Sequence, residues 1–259
     1  MNPPDTLRVA TYNIHKGVSA FGRRNRVHGL RTALASLEAD MLFLQEVQEV
    51  SDKNAARFKD WPLEAQTRFL AGADYQYVYG GNAVYEHGHH GNAILSLHPF
   101  EFARNHDISD HRFESRGMLH AIQRIRGRKV HCVNVHLGLF ARSRRRQTDA
   151  LIDLVERSIP PDEPLVIAGD FNDWHDRLTL RLAAGLGVRE AMVDQRLTRA
   201  GGFPLMAYPA RTFPALLPWF KLDRIYVRGF DVRSVEVMHG RLWAKMSDHA
   251  PLVAELEFQ

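Results

Sequence analysis

Cysteine is almost absent: Cys132 stands alone in 259 residues. No internal disulfide can form, and a reducing compartment suits such a chain. No apolar run approaches the roughly twenty residues of a membrane span, and the start, MNPPDTLRV, lacks the basic stretch and apolar core of a secretory leader. Nor is there a repeat, a low-complexity run or a linker. The Pro-containing stretches Ile159–Pro164 and Phe203–Pro218 are short and interleaved with apolar residues. With 45% hydrophobic residues the chain can bury a full core. The expectation is one soluble cytoplasmic domain over residues 1–259, with no integral membrane segment and no obligate protein partner evident.

Several chemistries are missing as well. There is no Gly-x-Ser-x-Gly elbow, no P-loop and no Cys/His spacing of a zinc site. Cys132 lies inside an apolar, strand-like run, which removes a thiol nucleophile. Lysine is scarce: 28 of the 34 basic residues are Arg, for a net charge of +4 and a pI near 9.3. Arg suits bidentate contact with phosphate and a basic surface attracts polyanions. An Arg-rich codon bias produces the same composition, so charge alone decides nothing.

What is present is a succession of short strands with few long helices. Leu7–Asn13 and Met41–Gln45 are predicted strands, with Val27, Leu30, Leu34 and Leu37 at helical spacing between them. Further strands are expected at Tyr75–Tyr79, Ala93–Leu97, Met118–Ile125, Val130–Val135, Leu165–Ala168, Ile225–Val227, Val232–Met238 and Leu252–Phe258. Helices are expected at Gln147–Val155 and Leu178–Leu186. This mixture argues for an α/β chain built on sheets, not an all-parallel wound fold.

Polar residues collect where these strands stop. RVATYN ends in Asn13, MLFLQE in Glu46, VHCVNVH in Asn134 and His136, and LVIAGDFN in Asp170 and Asn172. KLDRIYV opens on Asp223, and SDHAPLV on Asp248 and His249. Ser247–His249 alone would pass as a turn before a strand. Half a dozen such ends together have the pattern of a metal and phosphate site assembled from strand edges. Carboxylates with an amide suit a hard cation such as Mg²⁺, and an imidazole oriented by a carboxylate can move a proton. Phosphoester hydrolysis uses this set.

The ordered motifs LQE, GDFND, LDR and SDH resemble those of the endonuclease/exonuclease/phosphatase superfamily, from Arg8 to about Leu256. The resemblance implies a four-layer α/β/β/α sandwich of two mixed, mainly antiparallel sheets. It also implies a Mg²⁺- or Mn²⁺-dependent phosphoesterase attacking with an activated water. By the same resemblance Glu46 binds the metal, Asn13 supports it or the phosphate, and Asp248 lies near it. Asp170 and Asn172 orient the nucleophile and hold a phosphate oxygen. His249 activates water or stabilises the phosphate, oriented by Asp223. His136 faces the phosphate, supported by Asn134, while Asn92 and Arg116 reach the substrate. His89 and His90 line the pocket or form a loop, the loop being favoured. The run RSRRRQ, Arg142–Gln147, is expected as a solvated helix face in preference to an anion patch.

Departures narrow the substrate. His15 occupies a position where abasic-site endonucleases carry an acid, and His136 stands where they have none, so abasic-site repair is disfavoured. The combination NIHKG, NAVYEHGHHGNAILS and AGDFNDW looks most like a small bacterial subgroup of the superfamily. A nucleic acid, a phospholipid or a small phosphoester all remain open as substrate. A nuclease would show a basic groove. A lipid phosphodiesterase would show an apolar lip, for which FPALLPWF, Phe213–Phe220, is the candidate, although a packed loop is the expectation there. A non-catalytic phosphate-binding module is the alternative from another class.

Overall fold

The structure, a computed structural model, describes residues 6–19, 22–111, 114–193 and 210–259. Along the chain run β1 (Thr6–Asn13), a 3-10 turn (His15–Gly17), α1 (Val27–Ala35), β2 (Met41–Ser51), α2 (Asp52–Arg57), α3 (Gln66–Ala71), β3 (Gln76–Tyr85), β4 (Gly88–Ser96) and β5 (Phe100–Asp107). They are followed by β6 (Gly117–Ile125), β7 (Arg128–His136), α4 (Ala141–Ser158), β8 (Leu165–Asp170), α5 (Thr179–Leu186), β9 (Arg189–Glu190), β10 (Asp223–Arg228), β11 (Phe230–Val237), α6 (Arg241–Met246) and β12 (Leu252–Phe258). The strands form two six-stranded sheets, ordered β11-β12-β1-β2-β4-β3 and β5-β6-β7-β8-β10-β9. Each holds one parallel pair at its centre, β1 with β2 and β7 with β8. The other pairings are antiparallel, so both sheets are mixed.

The two-residue period of a strand explains the layering. In β1, Leu7 and Val9 join Met41, Phe43, Leu119, Cys132, Val166, Ala168 and Ile225 in the core between the sheets. The alternate residues Ala10 and Tyr12 face outward, under Leu30 and Leu34 of α1 and Trp243 and Met246 of α6. In β8, Val166 and Ala168 face inward while Ile167 packs with Leu151 and Val155 of α4 and Leu182 of α5. Each large aliphatic side chain buried this way contributes about 1.5–3 kcal/mol. Helix, sheet, sheet and helix follow in that order, the four layers that the motif resemblance implies.

Several local expectations need correcting. The predicted strand at Tyr75 begins at Gln76 and runs on to Tyr85. His89 and His90 belong to β4 and not to a loop. β5, α2, α3 and α6 carry too weak a periodicity to have been anticipated; β5 is mostly exposed, with Glu101, Phe102, Ala103 and Arg104 all facing water. The long helix begins at Ala141, so RSRRRQ is its first turns. Arg142, Arg145 and Arg146 are solvated, but Arg144 is buried and donates to the carbonyls of Gly138 and Leu139. The expected solvated face therefore loses Ser143, Arg144 and Gln147, all buried. Part of the Pro-containing stretch, 203–209, lies outside the described residues. No helix among the described residues is long and apolar enough to cross a membrane.

Candidate active site

Strand register sets the site out at one rim. Asp170, the last residue of β8, is paired with His136, the last of β7, and with Asp223, the first of β10. Paired residues share a face, and the alternation that sends Val166 and Ala168 inward sends these three side chains inward too. Across the gap, Asn13 ends β1 on its own inward-facing parity, after Leu7 and Val9. Gly169 lets the two strands approach. Its φ of +150° and the 1.9 Å that a Cβ would leave to the Val135 carbonyl oxygen both exclude a side chain there.

Glu46 reaches the same rim through a β-bulge. Leu44 and Val47 pair with Ala93 and Gly91, so Gln45 and Glu46 together oppose Asn92. Leu44 and Val47 both lie in the outer, helix-covered cluster. A regular strand would have put Glu46 on that face beside Leu44; the extra residue, with Glu46 at φ +55°, turns it away. A non-glycine residue in this conformation costs about 1–2 kcal/mol, small against the burial on either side, and bulges that re-aim a side chain are frequent beside active sites.

Asp170 is the hub. One of its oxygens, Oδ2, accepts from Asn13 Nδ2 at 3.1 Å and lies 3.5 Å from His136 Nε2 and 3.7 Å from His249 Nε2. The other accepts from the Asn172 amide at 2.9 Å. Asn172, at φ +48°, donates its own side-chain amide to the Leu137 carbonyl, 2.9 Å. His249 Nδ1 bonds Asp223 Oδ2 at 2.8 Å. Burial works against charge on His249, but the Asp223 and Asp170 carboxylates outweigh it and push the imidazole up to about 10. Burial raises Asp170 as well, partly offset by the His249 charge. His249 is therefore an imidazolium between two carboxylates, and Asp170 a carboxylate with raised basicity. Burial, then the Arg116 and His249 charges, hold His136 well below its ordinary value, so it is neutral.

Beside the hub, Ser247 fixes the turn. Its hydroxyl donates to the Asn13 carbonyl at 2.7 Å and accepts from the His249 amide at 3.3 Å. The half-buried Asp248 carboxylate meets His15 Nδ1 at 3.3 Å. Burial raises Asp248, but that bond and the His249 charge bring it below the usual range; the same bond raises His15, against burial. Asn13 Nδ2 also lies 3.5 Å from Glu46 Oε1, and His15 feels the Glu46 charge. His15 is thus near both Glu46 and Asp248, and both carboxylates are half-open to solvent.

Two groupings offer ligands to a cation. Asp170, Asp223 and His249 bring one atom each within 4.8 Å of one another, and Asp223 Oδ1 is buried without a partner. Both nitrogens of His249 face carboxylates, however, Nδ1 that of Asp223 and Nε2 that of Asp170. Glu46 and Asp248 supply carboxylate oxygens only, the donor set of Mg²⁺ or Mn²⁺, and Asn13 lies beside them, its Nδ2 toward Glu46 and Asp170 and its Oδ1 accepting from the His15 amide. The residues fit a hard divalent cation there.

Of the remaining expected residues, Asn92 donates to the Gly117 carbonyl at 3.0 Å and leaves its Oδ1 buried and free. Arg116 is near enough to depress His136, with a buried, unpartnered Nε. Asn134 is a correction: both amide hydrogens go to the Leu44 and Ala93 carbonyls, 2.9 and 2.8 Å, and its oxygen accepts from Gln45 Nε2 at 2.8 Å. It is a tether between the sheets with nothing left for a substrate. Burial pushes the Cys132 thiol up to about 12, in keeping with an inert residue. Lys16 and Arg224 are outside the expected set, and His90 is in it only as loop or pocket lining. Burial and the Lys16 charge hold His90 down at about 4, and its Nδ1 is buried and unpartnered. Arg224 is fully buried and clamps the turn after Asn172 through Asp173 and Asp176. Its position in LDR, one residue from Asp223 and hence on the opposite face of the strand, was the available signal.

Comparison with known proteins agrees with the fold. The model of the Endonuclease/Exonuclease/phosphatase family matches residues 10–249. A protein of Escherichia coli strain K12, named "Uncharacterized protein YbhP", is 40% identical over 256 residues, covering 97% of this chain and 96% of that one. An endonuclease/exonuclease/phosphatase from Bacteroides vulgatus superimposes with a TM-score of 0.75 at 19% identity, over 98% of this chain and 99% of its own. The human Nocturnin catalytic domain with bound sulfate anion gives 0.73 at 20% identity, over 99% of this chain and 95% of its own. Both likenesses are of fold.

Proposed function

The chain belongs to the endonuclease/exonuclease/phosphatase family, and from that premise we propose that it is a single-domain, cytoplasmic, divalent-metal-dependent phosphoester hydrolase. One observation carries the reading: the Asp170 carboxylate lies within 3.1–3.7 Å of Asn13, His136 and His249. That gives one basic oxygen surrounded by donors, at the open end of two sheets.

A phosphoester docked here would place its non-bridging oxygens against the His249 imidazolium, Asn172 and His136. Arg116 and Lys16 add positive charge nearby. The sulfate bound in the Nocturnin catalytic domain is in keeping with a tetrahedral anion on this fold. Asp170 accepts the proton of the attacking water as its oxygen adds to phosphorus. The opposite P–O bond breaks, and the leaving alkoxide takes a proton from solvent at the rim. Asp223 keeps the imidazolium charged and oriented while charge develops on the phosphoryl oxygens. Glu46, Asp248 and Asn13 would hold a Mg²⁺ or Mn²⁺ ion, which when bound neutralises a non-bridging oxygen and so lowers the barrier. Among the family's roles for His249, charge stabilisation therefore fits better than activation of water, which falls to Asp170.

The test is hydrolysis of bis(p-nitrophenyl) phosphate by purified protein in Mg²⁺, in Mn²⁺ and in EDTA, beside Asp170→Asn. Turnover that needs the metal and falls at least a hundredfold in the variant supports the reading. Equal rates for both proteins sink it.

A further inference from the structure

We propose that loop 213–220 and the exposed side of α6 dock onto an anionic phospholipid bilayer, presenting the site to a phosphate of a lipid headgroup; the substrate half of this rests on the hydrolase reading above. The packed loop expected at FPALLPWF is not what forms. Leu216 is 81% exposed, and Leu217 and Trp219 are each 64% exposed, three large apolar side chains together at one tip.

The tip is held out by a fastened base. The Thr212 and Phe213 amides donate to the Phe220 carbonyl, and the Trp219 and Phe220 amides to the Phe213 carbonyl, all within 3.1 Å. The same base is joined to the catalytic turn. The Ala215 amide donates to the Asp248 carbonyl at 2.7 Å, the Ala250 amide to the Thr212 carbonyl at 2.8 Å, and the Phe213 ring lies 4.9 Å from that of His249. Whatever the tip enters is therefore brought beside His249.

Charge identifies the medium. Arg211, Arg241 and Lys245 are exposed, and none makes an ion pair with an acid among the described residues. Arg211 and Arg241 share with Leu216, Pro218 and His239 a depression of about 400 Å³ that no acidic residue lines. Leu242, beside Arg241, is half-exposed. A second apolar point, Leu139 and Phe140, 56% and 65% exposed, follows directly on His136 and Leu137, with Arg142 and Arg145 solvated behind it. Each loop thus sets apolar side chains ahead of free cations, and both spring from the rim that carries the site. Convex apolar tips need a yielding apolar medium and the cations need phosphates at its edge, the profile of an anionic lipid interface. A nucleic acid would satisfy the cations and leave the leucines in water.

Binding is tested without turnover, in EDTA, with vesicles of phosphatidylglycerol and phosphatidylcholine in equal parts and of phosphatidylcholine alone. At least tenfold tighter binding to the anionic vesicles is expected, with a blue shift of tryptophan fluorescence. Trp219 is the exposed reporter: Trp61 and Trp243 are buried and Trp174 is partly buried against Phe213 and Phe220; Trp219→Phe should bind and lose most of the shift. The double variant Leu216→Ser, Leu217→Ser should bind at least tenfold more weakly. In Mn²⁺ it should release headgroup from the vesicles at least tenfold more slowly, while hydrolysing bis(p-nitrophenyl) phosphate at the wild-type rate. Failure to bind anionic vesicles, or binding that the double variant retains in full, overturns the docking surface and leaves the hydrolase untouched. Binding without headgroup release, in a protein active on the soluble diester, overturns the lipid as substrate. Binding by a protein inert on every diester upholds the surface and removes the hydrolase.

Discussion

His249 and Asp223 are joined at 2.8 Å, Nδ1 to Oδ2, across 26 residues of chain, at the one place where the first residue of β10 meets the turn before β12. The bond spends one nitrogen of the imidazole and leaves the other aimed at Asp170. Replacing Asp223 by Asn keeps the shape and removes the charge that holds His249 protonated. The expected outcome is a fall in kcat on bis(p-nitrophenyl) phosphate of roughly 10²–10⁴, the range for a mispositioned or mischarged catalytic histidine, with KM moved far less. A variant that retained kcat would show that the pair is structural only.

Glu46 is aimed by its bulge and meets only Asn13 among the site residues. Glu46→Gln preserves the volume and the hydrogen bond while deleting one anionic ligand. Titration calorimetry with Mn²⁺ should record a Kd on the order of 10–100 times higher. Without hydrolysis being measured at all, the rise in melting temperature that saturating Mn²⁺ gives the native chain should shrink in step. An unchanged Kd would move the cation to Asp170 and Asp223.

Much of this was legible in the chain. Strand-ending Asn13, His136 and Asp170 and strand-opening Asp223 could be found because short apolar runs mark strands and the polar residue that halts each one lies at its edge. Long-range pairing could not be found that way: nothing local shows that β7, β8 and β10 are neighbours in register, which is what makes three edges one site. Asn134 shows the opposite failure. It stands two residues from His136, on the same inward face and equally polar, yet it lies one step deeper along β7, in the gap between the sheets, where the Leu44 and Ala93 carbonyls take its amide. Loop 213–220 departs from the expectation because apolar composition ordinarily means burial, whereas here backbone hydrogen bonds among Thr212, Phe213, Trp219 and Phe220 at its base hold the tip outward.

A second histidine pair predicts how stability responds to acid. His120 Nε2 meets His131 Nδ1 at 2.9 Å, both buried in the second sheet, and His131 in turn contacts Glu163. Burial, then the His131 charge, hold His120 down at about 4, against 6.5 when unfolded. Between those values the unfolded chain takes a proton that the folded one refuses. The contribution is therefore complete above pH 6.5 and is lost as pH falls toward 4, by roughly 3 kcal/mol. Urea midpoints measured from pH 7 to pH 4 should fall steeply for the native chain and less steeply for His120→Leu. Parallel curves would place the acid sensitivity elsewhere.

Gly169 ties strand packing to chemistry. With φ at +150° and 1.9 Å between a built Cβ and the Val135 carbonyl oxygen, alanine cannot enter unless β7 and β8 separate next to His136 and Asp170. The loss includes strain and the displaced parallel pairing, so Gly169→Ala should cost at least about 3 kcal/mol, among the larger single-residue effects. Because the separation falls between the two residues that face one phosphate, the fraction that still folds should also turn over at least tenfold more slowly. Gly127→Ala, at a positive φ with open space around it, is the control: it carries the backbone penalty of about 1 kcal/mol and should leave kcat alone. If both variants lost stability equally, the clash with Val135 would have no energetic weight; if only Gly169→Ala lost turnover, the spacing of β7 and β8 would be the quantity that the site depends on.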